Sequence, residues 1–458
     1  DPLEISRDLP WFVSLEGLKA INDLFFDFKF SLASPTEHDK ERIVVLTKIL
    51  YYCFSQAKLW FKEGENREKL QLHQKIEDMY RENHVNWVHV LFEFGLQEFS
   101  LQIADFYHDM ESLVETLEQL DVDESQETYS QYFNKFGYDF AKTLFNYYIE
   151  QGKLRDLFNR FPEQHELLVK FLNSSKQYGY VNWIQEILDE QYSKASETLV
   201  QVAAGKAGID KPIDDRQFQL SIAKLTALAE DNSLDHESTI NKIQSDLDII
   251  DGQNDLAQRI NEQGIKVAPR FLETELNNVF NQVAQKLKNR QSITLDLIVE
   301  IYTMLNNTEC LYCALKLLAY EYGILDSETK KILISMVWRR CILAEADWAA
   351  VADLTQTAFY QVLCQYFDEE LYRSGSPLPS YQLMCDKSVL IKGYLTSKYQ
   401  QYTDNLDDIE GCFKNELKAV EGLGKIFETR VKSIIGSANE SSGNRCAVNY
   451  ESSIVEFH

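Results

Sequence analysis

Proline and glycine are scarce in this chain, with 8 and 18 among 458 residues. That is roughly 2% and 4%, where an average protein has about 5% and 7%. No proline occurs between Pro35 and Pro162, between Pro212 and Pro269, or between Pro269 and Pro377. Those gaps lack the residue that costs a helix interior most, about 3 kcal/mol. No apolar run approaches the roughly 18 residues of a membrane span, and no stretch reads as a signal peptide. Basic residues are few: 46 against 72 acidic, for a net charge of −26. Such a surface repels a polyphosphate backbone or an anionic membrane. The longest basic cluster, Lys286 to Arg290, reads as a solvated helix end, so neither nucleic acid nor direct membrane contact is expected.

The signatures of chemistry are also missing. The eight cysteines are scattered, and Cys310-Leu-Tyr-Cys313 is the single CxxC. It has no second CxxC to complete a zinc site and no βαβ pattern around it, so it reads as two buried thiols in a reducing, cytosolic or nuclear compartment. His84 and His89 flank Trp87 and invite a metal reading with Glu93. A spacing of five serves one helical face less well than three or four, so both read as ordinary helix-surface histidines. No phosphate loop, nucleophile elbow or paired-carboxylate signature appears, and Gly422-Leu-Gly424 lacks the preceding strand of a dinucleotide site. Catalytic residues, cofactor and metal are therefore expected to be none, and the chain is expected not to be an enzyme.

What the sequence does hold is helical periodicity. Hydrophobic residues make up 45%, and Ile43, Leu46, Leu50, Phe54 and Ala57 recur at three- and four-residue steps. Tyr107-His-Asp-Met-Glu-Ser-Leu113 and Tyr148-Ile-Glu-Gln-Gly-Lys-Leu154 repeat one phrase 41 residues apart. Each reads as an aromatic closing one helix, a polar turn, and a leucine opening the next. Recurrence at this spacing is the mark of stacked helical hairpins. The expected fold is all-α, an extended irregular α-helical solenoid with on the order of 25 helices.

The expected division is an upstream stack over 1–204, a linker over 205–215, a helical domain over 216–435 and a flexible tail over 436–458. Asp121 to Glu127 reads as a loop, Tyr129 to Glu150 as one helix, and Gln253 to Pro269 as irregular. Asp347 to Ala358 reads as helix, and Leu406 to Ile435 as the closing helical element. Asp1 to Pro10 does not resemble a natural start, so the chain reads as an excised fragment, with His458 a candidate tag remnant.

One helix differs from the rest. In Gln217 to Glu230, Phe218, Ile222, Leu225 and Ala229 fall on a narrow stripe at 3.6 residues per turn. Leu220, Ala223 and Ala227 cluster nearly opposite, with Leu228 between the groups. Two apolar faces mean either a helix sandwiched on both sides or one side offered to a partner helix.

Several segments carry a family resemblance. They are Phe140-Ala-Lys-Thr-Leu-Phe-Asn-Tyr-Tyr-Ile-Glu-Gln-Gly-Lys153, Val181-Asn-Trp-Ile-Gln-Glu-Ile187, Lys194-Ala-Ser-Glu-Thr-Leu199, Leu220-Ser-Ile-Ala-Lys-Leu-Thr-Ala-Leu-Ala229 and Ala346-Asp-Trp348. In order and spacing they resemble the nucleoporin 133 family, stem-tip subunits of the Y-shaped coat complex of the nuclear pore. The resemblance implies the family's C-terminal helical stack, without its N-terminal β-propeller and the lipid-packing loop that propeller carries. It implies docking to the C-terminal helices of the adjacent stem subunit, nucleoporin 107, called nucleoporin 84 in fungal naming. The family's contact helix has the form Leu-x-x-Leu-Ala-x-Leu-Ala. Here Ile222, Leu225 and Leu228 stand at the leucine positions and Thr226 at the first alanine, so Phe218, Ile222, Leu225 and Leu228 form the expected partner face.

The function this implies is a scaffold nucleoporin at the nuclear pores of the nuclear envelope, on both faces, supporting mRNA export and nuclear transport. Two other classes use similar architecture. A vesicle-coat or tethering subunit would lack the Trp183 and Leu225 motifs. An acidic transport receptor would need regular hairpins of near-constant length.

Overall fold

The computed structural model describes residues 11, 14–32, 34–62, 67–120, 122–205, 212–230, 236–443, 446–449 and 454–457. The expectations on Asp1 to Pro10 and His458 lie outside them, as do residues 206–211 of the expected linker. The chain forms two compact units, Asp1–Lys176 and Gln177–His458. This division falls earlier than the linker expected at 205–215. The helices on either side of that linker pack on each other within the second unit.

In the first unit the helices are α1 (Leu15–Phe30), α2 (Glu37–Lys62), α3 (Arg67–Glu93), α4 (Gln97–Phe106) and α5 (Met110–Glu118). They continue with α6 (Val122–Phe136), α7 (Tyr138–Glu150), α8 (Leu154–Asn159) and α9 (His165–Leu172). Ile43, Leu50, Phe54 and Ala57 are fully buried on the inner face of α2, as their period requires, and Trp87 lies at the centre of this core. The Trp87 indole N–H donates to Asn22 Oδ1 at 2.8 Å, tying α3 to α1.

Two buried carboxylates organise the rest of this unit. Asp109 caps α5 and accepts the Ser112 N–H (3.1 Å), the Tyr51 hydroxyl (2.7 Å), the Tyr80 hydroxyl (3.1 Å) and His84 Nδ1 (2.8 Å). Glu118 accepts the hydroxyls of Tyr129 (2.6 Å) and Tyr148 (2.8 Å), and binds Lys153 Nζ (2.9 Å) and Arg160 NH1 (2.7 Å). His84 is thus buried and ion-paired, contrary to the helix-surface reading, because Asp109 reaches it from a different helix.

The hairpins share one turn. Gly95, His108, Gly152 and Glu190 each take positive φ, between 55° and 72°. The next residue's N–H donates five residues back: Leu96 to Leu91, Asp109 to Ala104, Lys153 to Tyr148 and Gln191 to Glu186, at 2.8–2.9 Å. This is the Schellman closure of a helix C-terminus. It places the equivalent turn residues His108 and Gly152 44 residues apart, so the repeated phrase of 41 is three residues out of register.

The second unit begins with α10 (Gly179–Leu188), α11 (Tyr192–Ala204), α12 (Ile213–Ala229), α13 (His236–Asn261) and α14 (Glu275–Lys288). Then come α15 (Leu295–Met304), α16 (Thr308–Tyr320), α17 (Ser327–Leu343), α18 (Ala358–Asp368) and the short α19 (Tyr381–Met384). It closes with α20 (Lys392–Tyr399), α21 (Leu406–Glu421), α22 (Gly424–Ser441) and a hairpin of β1 (Cys446–Asn449) with β2 (Ile454–Phe457). The Schellman turn recurs after α14, at Arg290. The core of this unit gathers α14 to α22 around Trp338, Tyr366 and Phe413.

A charge network crosses that core. Arg340 on α17 is fully buried; its Nε binds Glu416 at 3.0 Å and its NH1 donates to Thr303 Oγ1 at 2.8 Å. Glu300 on α15 binds Lys398 at 2.8 Å and accepts the Tyr399 hydroxyl at 2.7 Å. Arg339 NH1 donates to the Met384 carbonyl at 2.9 Å.

The all-α reading holds, with the small terminal hairpin as an addition. Several boundaries differ from expectation. The acidic stretch after Asp121 starts α6. Gly137, at φ 57°, breaks Tyr129–Glu150 into two helices, and Phe140 then packs back on Tyr132 and Phe133. Gln253 lies inside α13, its side chain buried and bonded to the Gln291 carbonyl and the Ile293 N–H. Asp347–Ala358 contains two 3-10 turns in place of a helix. The Gly424 φ of 47° splits the closing element, and α22 runs past Gly436, where the flexible tail was expected. Ile434, Ile435 and Ala438 are buried there, and apolar contact extends the helix.

Candidate docking face on α12

The inner face of α12 is Leu220, Ala223, Thr226 and Ala227, all buried. It packs on Ala195, Ser196, Leu199 and Ala203 of α11, the small side chains allowing close approach. Ser196 Oγ donates to the Ala223 carbonyl at 2.9 Å across this contact. The Thr226 hydroxyl bonds back to the Ile222 and Ala223 carbonyls, at 3.1 and 2.9 Å. Thr226 therefore fits a buried alanine position without stranding a polar group.

Both ends of the helix are fixed. Ile213 N–H donates to the Arg290 carbonyl at 3.2 Å, and Arg290 Nε binds Asp214 at 2.8 Å. Arg216 reaches Asp246 of α13 at 3.3 Å, and Glu230 accepts the Ser193 N–H of α11 at 2.8 Å.

On the outer face Phe218, Leu225 and Leu228 are 61%, 66% and 55% exposed. Ile222 is half-buried at the edge and packs on the α11–α13 core. The structure therefore groups Phe218, Leu225 and Leu228 on one side, with Ile222 joining that side to the interior. Between Asp215 and Glu230 the exposed positions are Phe218, Ser221, Leu225, Leu228 and Ala229, none of them charged. In a chain with 26% charged residues, a charge-free helix face about 15 Å long is a marked exception. Its chemistry is that of a groove-binding helix, a rigid row of apolar anchors at i, i+7 and i+10.

Sequence reasoning missed a second apolar surface. Val45, Ile49 and Tyr52 of α2 and Phe99 and Phe106 of α4 line a groove of about 540 Å³ in the first unit. Its signal was present in the sequence, as a second apolar row one or two positions offset from the buried row of α2.

The remaining candidates are structural. Cys310 is buried and Cys313 half-buried, and burial raises their thiols to about 12 and about 11. Neither is a ready nucleophile. Among the described residues no three His, Cys, Asp or Glu side chains group as a metal site. Burial alone would lower His84, but its bonds to Asp109 and Glu111 hold it at about 9.

Residues 36–424 match the family described as non-repetitive/WGA-negative nucleoporin C-terminal. The chain is 35% identical to nucleoporin NUP133 of Saccharomyces cerevisiae, over all of this chain and 40% of that protein. It is 23% identical to nucleoporin nup132 of Schizosaccharomyces pombe over 73% of the chain and 30% of the relative. With nuclear pore complex protein Nup133 of Homo sapiens it shares 28% identity, over 48% of the chain and 18% of that protein. The chain thus spans less than half the length of these relatives. A match covering most of the chain and an all-α fold agree: the chain belongs to the non-repetitive/WGA-negative nucleoporin C-terminal family.

Proposed function

We propose that this chain is a structural scaffold segment of the nuclear pore coat, placed at pores of the nuclear envelope. In this reading it docks the C-terminal helices of the adjacent stem subunit, nucleoporin 107 (nucleoporin 84 in fungal naming), through Phe218, Ile222, Leu225 and Leu228. The observation that carries the reading is the uncharged, exposed outer face of a helix whose inner face and both ends are fixed. The family match supports a pore scaffold role over a vesicle-coat subunit or a transport receptor. The names of the relatives denote nucleoporins and none denotes an enzyme.

The mechanism is geometric. Each helical hairpin buries its apolar stripe against its neighbours, which fixes where the outer face of α12 points. Binding then covers three large apolar side chains, each contributing about 1.5–3 kcal/mol when fully buried. Support of mRNA export and transport follows from holding other subunits in place.

Titration calorimetry of the chain against the isolated C-terminal helices of nucleoporin 107 tests this, with Leu225→Glu alongside. Because Leu225 is exposed, the variant is expected to fold with stability within about 0.5 kcal/mol of wild type. In the complex a buried unpaired carboxylate is expected to weaken binding by roughly 100-fold or more. Equal binding by a folded Leu225→Glu would remove the interface from α12. No binding by the wild-type chain would remove nucleoporin 107 as the partner and leave the family membership in place.

A further inference from the structure

The second unit contains a cavity of about 420 Å³ whose lining includes Arg270, Thr303, Asn306, Thr308, Arg340 and Glu345. It meets the charge network at Arg340. Around Glu416 three guanidinium groups share one carboxylate: Arg340 at 3.0 Å, Arg339 at 3.6 Å, and Arg270, on which Glu416 acts through space. Arg340 also lies 3.7 Å from Glu300, but Lys398 already neutralises Glu300 at 2.8 Å. The cluster is left with surplus positive charge inside a strongly acidic protein.

Two members of the cluster, Arg270 and Arg340, line the cavity. Arg270 is half-buried and makes no hydrogen bond or ion pair among the described residues; its Nε and NH1 are buried and unsatisfied. Its guanidinium and that of Arg340 both lie over the Phe271 ring, at 4.5 and 4.9 Å, which keeps two like charges close together. Arg340 is fully buried, and its NH2 lacks a hydrogen-bond partner. Burial and the neighbouring Arg340 and Arg339 lower Arg270 to about 10, against the pull of Glu416. An isolated buried charge is costly, so two neighbouring guanidinium groups with buried, unsatisfied nitrogens call for an anion.

The same cavity receives the first turn of α16, capped by Asn307. The leading N–H groups of a helix favour negative charge. The side chains of Asn306 and Thr308 have no hydrogen bond among the described residues and can donate there. One carboxylate, Glu345, also lines the cavity, with an oxygen accepting the Ala358 N–H at 3.2 Å. It is absent from the principal charges acting on Arg270.

We propose that this cavity is a binding site for a phosphate-class oxyanion, held by Arg270 and Arg340 with the first turn of α16. Donors come from three separate elements: the 3-10 turn at Pro269–Phe271, α17 and the start of α16. That suits a tetrahedral anion better than a planar carboxylate. The volume of about 420 Å³ is roughly fourteen times the ~30 Å³ share of one water, so there is room for the group that carries the phosphate.

The test is thermal unfolding and calorimetric titration of the 458-residue chain with inorganic phosphate, against chloride at equal ionic strength. Tripolyphosphate in a parallel arm distinguishes a single phosphate from a polyphosphate ligand. Wild type is expected to bind and to gain melting temperature. Arg270→Gln is expected to bind at least ~tenfold more weakly, the loss of one charge-assisted contact. Without phosphate it should melt close to wild type, since Arg270 makes no hydrogen bond or ion pair among the described residues and gives up only its contact with Phe271 and its through-space attraction to Glu416. Asn306→Asp, an exposed change that places a carboxylate at the cavity, should also weaken binding while leaving the core untouched. An exposed control, Arg373→Gln, should respond as wild type does. If phosphate acts no better than chloride, or acts equally on Arg270→Gln and Asn306→Asp, the site is not an anion site.

Discussion

Buried charges in this protein act through specific partners, and His84 shows it most clearly. Its ring lies between Asp109 at 2.8 Å and Glu111 at 3.0 Å, stacked on Tyr80. The folded protein holds the imidazolium proton up to about pH 9, whereas an unfolded chain releases it near 6.5. The pair's contribution is therefore complete below pH 6.5 and is lost as pH rises through about 9. Its size is roughly 3 kcal/mol. Urea unfolding between pH 6 and 10 should show the first unit weakening over that window. His84→Gln should flatten the slope and lower stability throughout, because Asp109 then stays buried without its cation. None of this was legible in the sequence. Asp109 lies 25 residues from His84, and nothing in the spacing distinguishes it from the other aspartates of an acidic chain.

Helices were the legible part, and the joints between them were not. The period of Ile43, Leu50, Phe54 and Ala57 announces the buried side of α2, and the two apolar faces of α12 can be read from spacing alone. Which of those faces meets solvent depends on α11, whose small residues make it the packing partner. Breaks marked by glycine, as at Gly95 and Gly137, have a physical signal, because positive φ suits a residue without a Cβ. His108, Glu190 and Arg290 adopt the same left-handed conformation with ordinary side chains, so the repeated turn is invisible at those sites. The packing of the flanking helices imposes it against a local cost. Replacing exposed Glu190 by glycine should relieve that cost and stabilise the protein by roughly 1 kcal/mol. Equilibrium denaturation would measure it. A loss of stability would mean that Glu190 makes contacts worth more than its backbone strain.

At the scale of the whole chain, the first unit has its own core around Trp87, and the second is built around Trp338. Separate cores of this size unfold as separate cooperative blocks. Calorimetry is expected to resolve two transitions, with His84→Gln shifting one of them. A single transition with equal calorimetric and van't Hoff enthalpies would show one block instead. The bare outer face of α12 also bears on dosage. On the docking reading proposed above, a copy synthesised in excess of the partner keeps three large apolar side chains in water, the kind of surface that chaperones and proteolytic surveillance act on. Matched production of the two subunits would then be enforced after translation, by clearance of whichever copies stay uncovered.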